Sequence, residues 1–440
     1  MDLLIANATV VTMNPAREVL PRADLSIRGG RIASVGSPVK SDRARKVLDC
    51  SGKVVLPGFI HGHLHACQTL FRNQADGLEL LPWLRERIWP MEAAHDERSM
   101  RSSADLSFAE LIKSGATAGL DMGSTRHTEQ IFASARDCGF RLTGGKAMMD
   151  AGDSIPAKLR ETTADSVAES IRLINEWHGA AEGRLRYAFA PRFALSCTEE
   201  LLRTVAQEAR SRSVRIHTHA SENSAEVAEV RQRTGKQNVE YLHSVNLTGR
   251  DVVLAHCVWL GAGEDRTLQH TQTHVCHCPS ANLKLASGLA KVPELLDAGV
   301  NVCLGADGAA CNNNLDMFAE MRLAALIHKP RAGAASMPPS RVLEMATLAG
   351  ARALGLDGEL GSIERGKRAD LIVLDLHRLH AVPNGDLLGQ IVHSARAGDV
   401  VHAIIEGKLV MHDRQLLTLD ESEVLAHAVE EGKRLARRAG

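Results

Sequence analysis

Between about residues 54 and 304 the chain alternates short β-rich runs with helical stretches, and no other feature narrows its fold as much. Eight such runs can be counted: Val54 to Ile60, Ala116 to Met122, Arg141 to Met149, Arg186 to Phe193, Val214 to His219, Val252 to Val258, His274 to Cys278 and Val300 to Leu304. Helical patterns such as Met100 to Lys113, Ser166 to Trp177 and Glu199 to Ala209 separate them. Eight alternations favour a closed (β/α)8 TIM barrel over a doubly wound sheet. His63, His65, Lys146, Arg192, His219, His256 and Asp307 all fall at or just past the carboxyl end of a run. That is the face on which such barrels keep their chemistry.

Both ends of the chain have another texture. Short strands and turns fill residues 1–56 and recur after Gly361, as in Asp370-Leu371-Ile372-Val373-Leu374 and Val400 to Glu406. Each piece alone has too few strands to bury a face, so the two are expected to form one composite β-sandwich domain. The α/β chain therefore divides into a composite domain of residues 1–56 with 362–440 and a barrel of residues 57–361.

Charge and composition remove several classes of function. Lys plus Arg number 52 against 53 Asp plus Glu, a net charge of −1 that offers no basic excess for nucleic acid or an anionic membrane. No apolar run approaches the ~18 residues of a spanning helix. The amino terminus lacks the basic start of a signal peptide, and nine scattered cysteines contain no CxxC pair. A cytoplasmic enzyme with reduced thiols and a small-molecule substrate is expected, and a homo-oligomer is compatible with this. The anomaly is 20 histidines in a chain with only 8 Phe, 4 Trp and 2 Tyr.

Three of those histidines stand in His61-Gly62-His63-Leu64-His65, where a period of two puts the imidazoles on one side of a strand. At a barrel strand end this is a metal signal, which His219, His256 and Asp307 can complete with nitrogen and oxygen ligands. Cys276-His277-Cys278 offers only three ligands in a row and reads as strand core. His95-Asp96-Glu97 supplies the HxE of a nucleobase-editing zinc deaminase, but the PCxxC is absent, as is the HExxH of a metalloprotease.

Pro57-Gly58-Phe59-Ile60 followed by His63-x-His65, then His219-x-x-Glu222, Ala255-His256-Cys257, Gly305-Ala306-Asp307-Gly308 and the tail motif Gly361 to Leu371 resemble the amidohydrolase superfamily over essentially the whole chain. Three further stretches are similar to the aminohydrolases of adenosine derivatives, the 5′-deoxyadenosine, 5′-methylthioadenosine and S-adenosylhomocysteine deaminases. They are Leu81 to Glu92, His277 to Gly288 and Cys311 to Phe318. The resemblance implies one divalent cation, zinc favoured over iron, on His63, His65, His219 and Asp307. It makes Asp307 the base, Glu222 the proton donor to a substrate ring nitrogen, and His256 the group that holds the attacking oxygen. Relatives with two metals use a Lys on strand four; here Pro191-Arg192-Phe193 stands there, with Lys146 on strand three the one nearby exception.

The same resemblance assigns substrate contacts. Trp83 would wall the base and Glu92 would accept hydrogen bonds from ribose hydroxyls, while Arg192 and Lys146 replace a His and an Arg of relatives that handle S-adenosylhomocysteine. Cys311 stands where many relatives have Ser, and His61 where they have Asn or Asp. The expected reaction is deamination of a 6-amino-purine nucleoside to the inosine analogue and ammonia. Pro191 to Cys197 together with Gln68 also resembles guanine deaminase, which makes that enzyme, or a triazine or pterin hydrolase, the alternative. A barrel without catalysis, kept as a scaffold, should have lost ligands; all four are here.

Overall fold

A computed structural model describes residues 1–36, 39 and 44–440 of the chain. Eight parallel strands close into a barrel, beginning with Phe59–His65 and continuing through Ala116–Met122, Arg141–Met148, Leu185–Pro191, Arg215–Ala220, Val252–His256 and His274–His277. Strand three is broken at Lys146, and strand eight at Gly305 and Ala306. Val302–Leu304 of strand eight pairs with strand seven, and Asp307–Gly308 crosses to pair with Leu64 and His65 of strand one. The break closes the barrel and carries Asp307 over to the strand-one histidines.

One boundary differs from the sequence reading. Val54 to Ile60 is two strands: Val54–Pro57 belongs to the terminal sheet, paired with Leu371–Leu374 and with Thr9 and Val10, and barrel strand one starts at Phe59. A continuous apolar run carries no periodicity that would mark a change of sheet at Gly58.

The terminal strands form one nine-stranded sheet in which the antiparallel pair Val54–Pro57 and Leu371–Leu374 joins the two ends of the chain. Alternation decides what each face covers. Val54, Leu56, Ile372 and Leu374 pack into the barrel's core, whereas Val55, Leu371 and Val373 pack with Leu3, Ile5, Leu25 and Ile27 in a separate core. Each such side chain contributes roughly 1.5–3 kcal/mol by leaving water. Arg141, at the start of barrel strand three, ties the units together through Asp370 at 2.6 and 3.1 Å and through Glu406, all buried.

The last helix, Glu421–Ala439, falls within the stretch expected to be β domain but lies on the barrel, with Arg438 bonded to Ala94 and Ser99 and Lys113 to Glu421. No helix among the described residues is long and apolar enough to cross a membrane. All nine cysteines are buried and unbridged.

Candidate active site

At the carboxyl end of the barrel, His63 and His65 from strand one, His219 from strand five and Asp307 from strand eight converge. One ligand atom from each lies within 4.8 Å of all the others. Asp307 Oδ1 is 3.2 Å from His63 Nε2 and 3.4 Å from His65 Nε2, and His65 Nε2 is 3.2 Å from His219 Nε2.

The hydrogen-bonding around these rings tests whether they fit a cation. His65 Nδ1 lies 2.7 Å from the Met122 carbonyl and His219 Nδ1 lies 2.7 Å from the Arg192 carbonyl. A carbonyl only accepts, so each Nδ1 carries the hydrogen and each Nε2 presents a lone pair. Two lone pairs 3.2 Å apart beside a carboxylate repel unless a cation sits between them. His63 Nε2 is buried and has no protein hydrogen-bond partner, while its Nδ1 is 2.8 Å from His217 Nε2. Burial first, and then the neighbouring imidazoles, lower the pKa of His63 and His65, so protons do not relieve the crowding at neutral pH. This donor set fits one divalent cation of the zinc type.

Two further groups complete the site. His256 follows strand six with φ 76° and Asp307 has φ 61°, left-handed conformations that cost ~1–3 kcal/mol in a non-glycine residue and are held by the surrounding fold. His256 Nε2 is 3.5 Å from Glu222 Oε2 and 3.8 Å from Asp307 Oδ2. Burial, then the carboxylates of Asp307 and Glu226, push the Glu222 carboxyl well above its ordinary pKa. Against burial, which raises it, the imidazoles of His256, His65 and His219 hold Asp307 below its ordinary value. Two neighbouring carboxyls whose pKa values are pushed apart suit the roles of acid and base.

A pocket beside these groups is lined by Gln68, Trp83, Arg192, Phe193 and Glu222, together with three of the four metal-site residues. The indole Nε1 of Trp83 is buried and has no protein partner. Glu92 stands behind Arg192, which grips it with two bonds of 2.5 and 3.0 Å, and Gln68 Nε2 donates to the same carboxylate at 3.0 Å.

Not every expected residue reaches the pocket. Lys146 is buried where strand three breaks and gives its ammonium to Glu161 at 2.5 Å and Ser166 at 3.1 Å. It braces the segment before helix Thr163–Trp177 instead of facing substrate or metal. Cys311 turns its Sγ to the Gly308 carbonyl at 3.2 Å, beneath Asp307, and burial pushes its thiol pKa well up. His61 lies deeper in the barrel, its Nδ1 accepting from the Ala306 amide at 3.2 Å, and is outside the ligand cluster. Two residues not singled out in the sequence do reach it: His217, on His63, and Asn282, whose Oδ1 lies 2.8 Å from His256 Nδ1. His217-Thr218-His219 repeats the period-two signal of strand one, and that repeat was the available clue.

Comparison with known proteins agrees with this geometry. A model of the amidohydrolase family matches residues 54–410. The 5′-deoxyadenosine deaminase of Methanosarcina acetivorans is 37% identical over 439 residues, covering 100% of this chain and 99% of the relative. The 5-methylthioadenosine/S-adenosylhomocysteine deaminase of Pelotomaculum thermopropionicum is 38% identical over 441 residues, covering 99% of each. The crystal structure of an adenosine deaminase from Xanthomonas campestris with bound zinc superposes with a TM-score of 0.94 at 30% identity, covering 99% of both chains. Family model, full-length relatives and the four-residue His/Asp centre agree, and the chain belongs to the amidohydrolase family of C–N bond hydrolases.

Proposed function

We propose that the protein deaminates a 6-amino-purine nucleoside, such as 5′-deoxyadenosine, 5′-methylthioadenosine, S-adenosylhomocysteine or adenosine, to the inosine analogue and ammonia. The observation that carries this reading is the placing of Glu222 and Asp307 at 3.5 and 3.8 Å from His256 Nε2, in a pocket that Trp83 and Phe193 line beside the metal-site residues. A divalent cation, zinc in this proposal, would be held by His63, His65, His219 and Asp307, where it supplies Lewis acidity and lowers the pKa of water from 15.7 to about 7.

The chain's own groups do the rest. Asp307 accepts a proton from the attacking water through Oδ2, and Glu222 delivers its proton to the ring nitrogen next to the amino-bearing carbon. His256 Nε2 holds the attacking oxygen. The oxygen adds to that carbon, the C–N bond breaks, and the amine leaves as ammonia with the proton taken from water. Trp83 covers the base and offers its free N–H. Glu92 would accept the ribose hydroxyls in place of the bonds by which Arg192 and Gln68 hold it. Full-length likeness to deaminases of 5′-modified adenosines supports a nucleoside substrate.

One observation favours a second reading. Both oxygens of Glu92 are engaged by Arg192, and Gln68 adds a third bond, so Arg192 and Gln68 form a planar donor edge suited to a free base such as guanine, or a pterin or triazine. Comparing kcat/KM for 5′-deoxyadenosine, adenosine, S-adenosylhomocysteine and guanine, with Glu92→Ala alongside, separates the two. The nucleosides are expected to win, and Glu92→Ala to lower their kcat/KM. Guanine ahead by about ten-fold, ~1.4 kcal/mol, with Glu92→Ala neutral, replaces the nucleoside reading by the free-base one.

A further inference from the structure

At the end of the barrel opposite the metal centre, the starts of strands three to six open onto a cavity of about 420 Å³, within the range of small-ligand pockets. Its walls carry Arg186, Arg210, Arg215 and Arg250 but only one carboxylate, Asp251. Asp251 is engaged by Arg210 at 3.2 Å. The other three guanidinium groups have no carboxylate partner among the described residues. Arg215 donates to the backbone carbonyls of Arg250 and Arg352, and Arg250 to the side-chain oxygen of Gln272. The side chain of Arg186 makes no hydrogen bond among the described residues, and Glu359, the acid that acts on it, is bound to Arg368 at 2.8 Å.

Burial comes first among the causes that lower the pKa of Arg186 and Arg215; Glu359 opposes it on the former and Asp251 and Asp357 on the latter, while repulsion from Arg141 and from Arg186 adds to it. Gly355, which ends helix Leu348–Leu354 at φ +68°, leaves open the space beside Arg215 Nη2, where a Cβ would stand 2.0 Å away. Tyr187, Val214 and Leu354 give the same cavity an apolar wall.

We propose that this cavity is a second binding site, for a phosphate-bearing small molecule held by Arg186, Arg215 and Arg250. Guanidinium forks match phosphate oxygens in pairs, and a dianion neutralises two of the three unpaired charges. The apolar wall would take the organic part of a nucleotide; inorganic phosphate would use the arginines alone.

Titration calorimetry on the zinc-loaded protein at low salt, with inorganic phosphate and with UDP, whose base has no ring amino group for the active site, tests this. Saturable binding of one anion per chain is expected, weakened at least about ten-fold by Arg186→Gln and by Arg250→Gln, and less by Arg186→Lys, which keeps charge without the fork. The melting temperature should rise with each anion in the wild type and not in the Gln variants. An anion on the metal would bind all variants alike, so unchanged affinity in both Arg186→Gln and Arg250→Gln overturns the proposal. No saturable heat up to about 10 mM of either probe overturns it too. UDP tighter than phosphate by about ten-fold assigns the site to a nucleotide, and equal affinity assigns it to the free anion; either supports it.

Discussion

His217 and Glu222 show how much of the site depends on single atoms. His217 Nε2 fixes the Nδ1 side of His63 at 2.8 Å and so fixes which nitrogen faces the cation. Partners of this kind typically change metal affinity 10–100-fold, so His217→Phe should weaken zinc binding by about that factor in chelator competition, with the fold intact by circular dichroism. Unchanged affinity would show that His63 orients itself. Glu222→Gln keeps shape and removes the acid: kcat should fall by about 10²-fold or more while the metal content stays at one per chain. Turnover within a few-fold of wild type would remove Glu222 from proton transfer.

At the scale of elements, strand one works because it can be approached closely. A Cβ on Gly62 would stand 2.3 Å from Cys303 Sγ and 3.0 Å from Cys276 Sγ, so the glycine between His61 and His63 lets strands seven and eight pack against strand one. Gly62→Ala is expected to cost ~1–3 kcal/mol by overpacking and to displace the strand-one histidines, seen as a lower melting temperature together with lost metal. Full metal content at wild-type stability would mean that the cysteines yield freely. Much of this architecture was legible in the sequence, and for physical reasons. Strand six announced itself because a buried parallel strand is a continuous apolar run, here Val252-Val253-Leu254-Ala255, and His256 stands at its polar end. The failures share a cause as well. Whether Val54 pairs with strand one of the barrel or with Leu374, and whether Lys146 turns to the pocket or to Glu161, is settled by partners distant in sequence or by a break in the strand, neither of which a local pattern records. For His61, likewise, period two gives the side of the strand but not the depth in the barrel.

Across the whole molecule, the burial of histidine ties stability to pH. Burial, the largest cause in each case, lowers His95, His274, His328 and His402 from 6.5 to about 4, and none of the four is a metal ligand. Because the folded values lie below the unfolded one, the unfolded chain binds more protons between about pH 6.5 and 4. The stability that each of them contributes is therefore complete above about 6.5 and is lost as the pH falls through that window. At pH 5.5 each group withdraws ~1.4 kcal/mol, while Asp121 and Glu320, raised by burial to about 7, act in the opposite direction, so one histidine's part is read by difference between two proteins. His328 gives the cleanest test, since it is buried and neither ring nitrogen has a hydrogen-bond partner. His328→Leu removes a titrating group without breaking a hydrogen bond, so the variant's stability at pH 5.5 relative to pH 7.5 should be more favourable than the wild type's by ~1.4 kcal/mol. Metal ligands also lose their cation in acid, but that contribution is the same in both proteins and cancels in the comparison. A pH dependence unchanged in His328→Leu would mean that this histidine is hydrated or paired when the protein is folded.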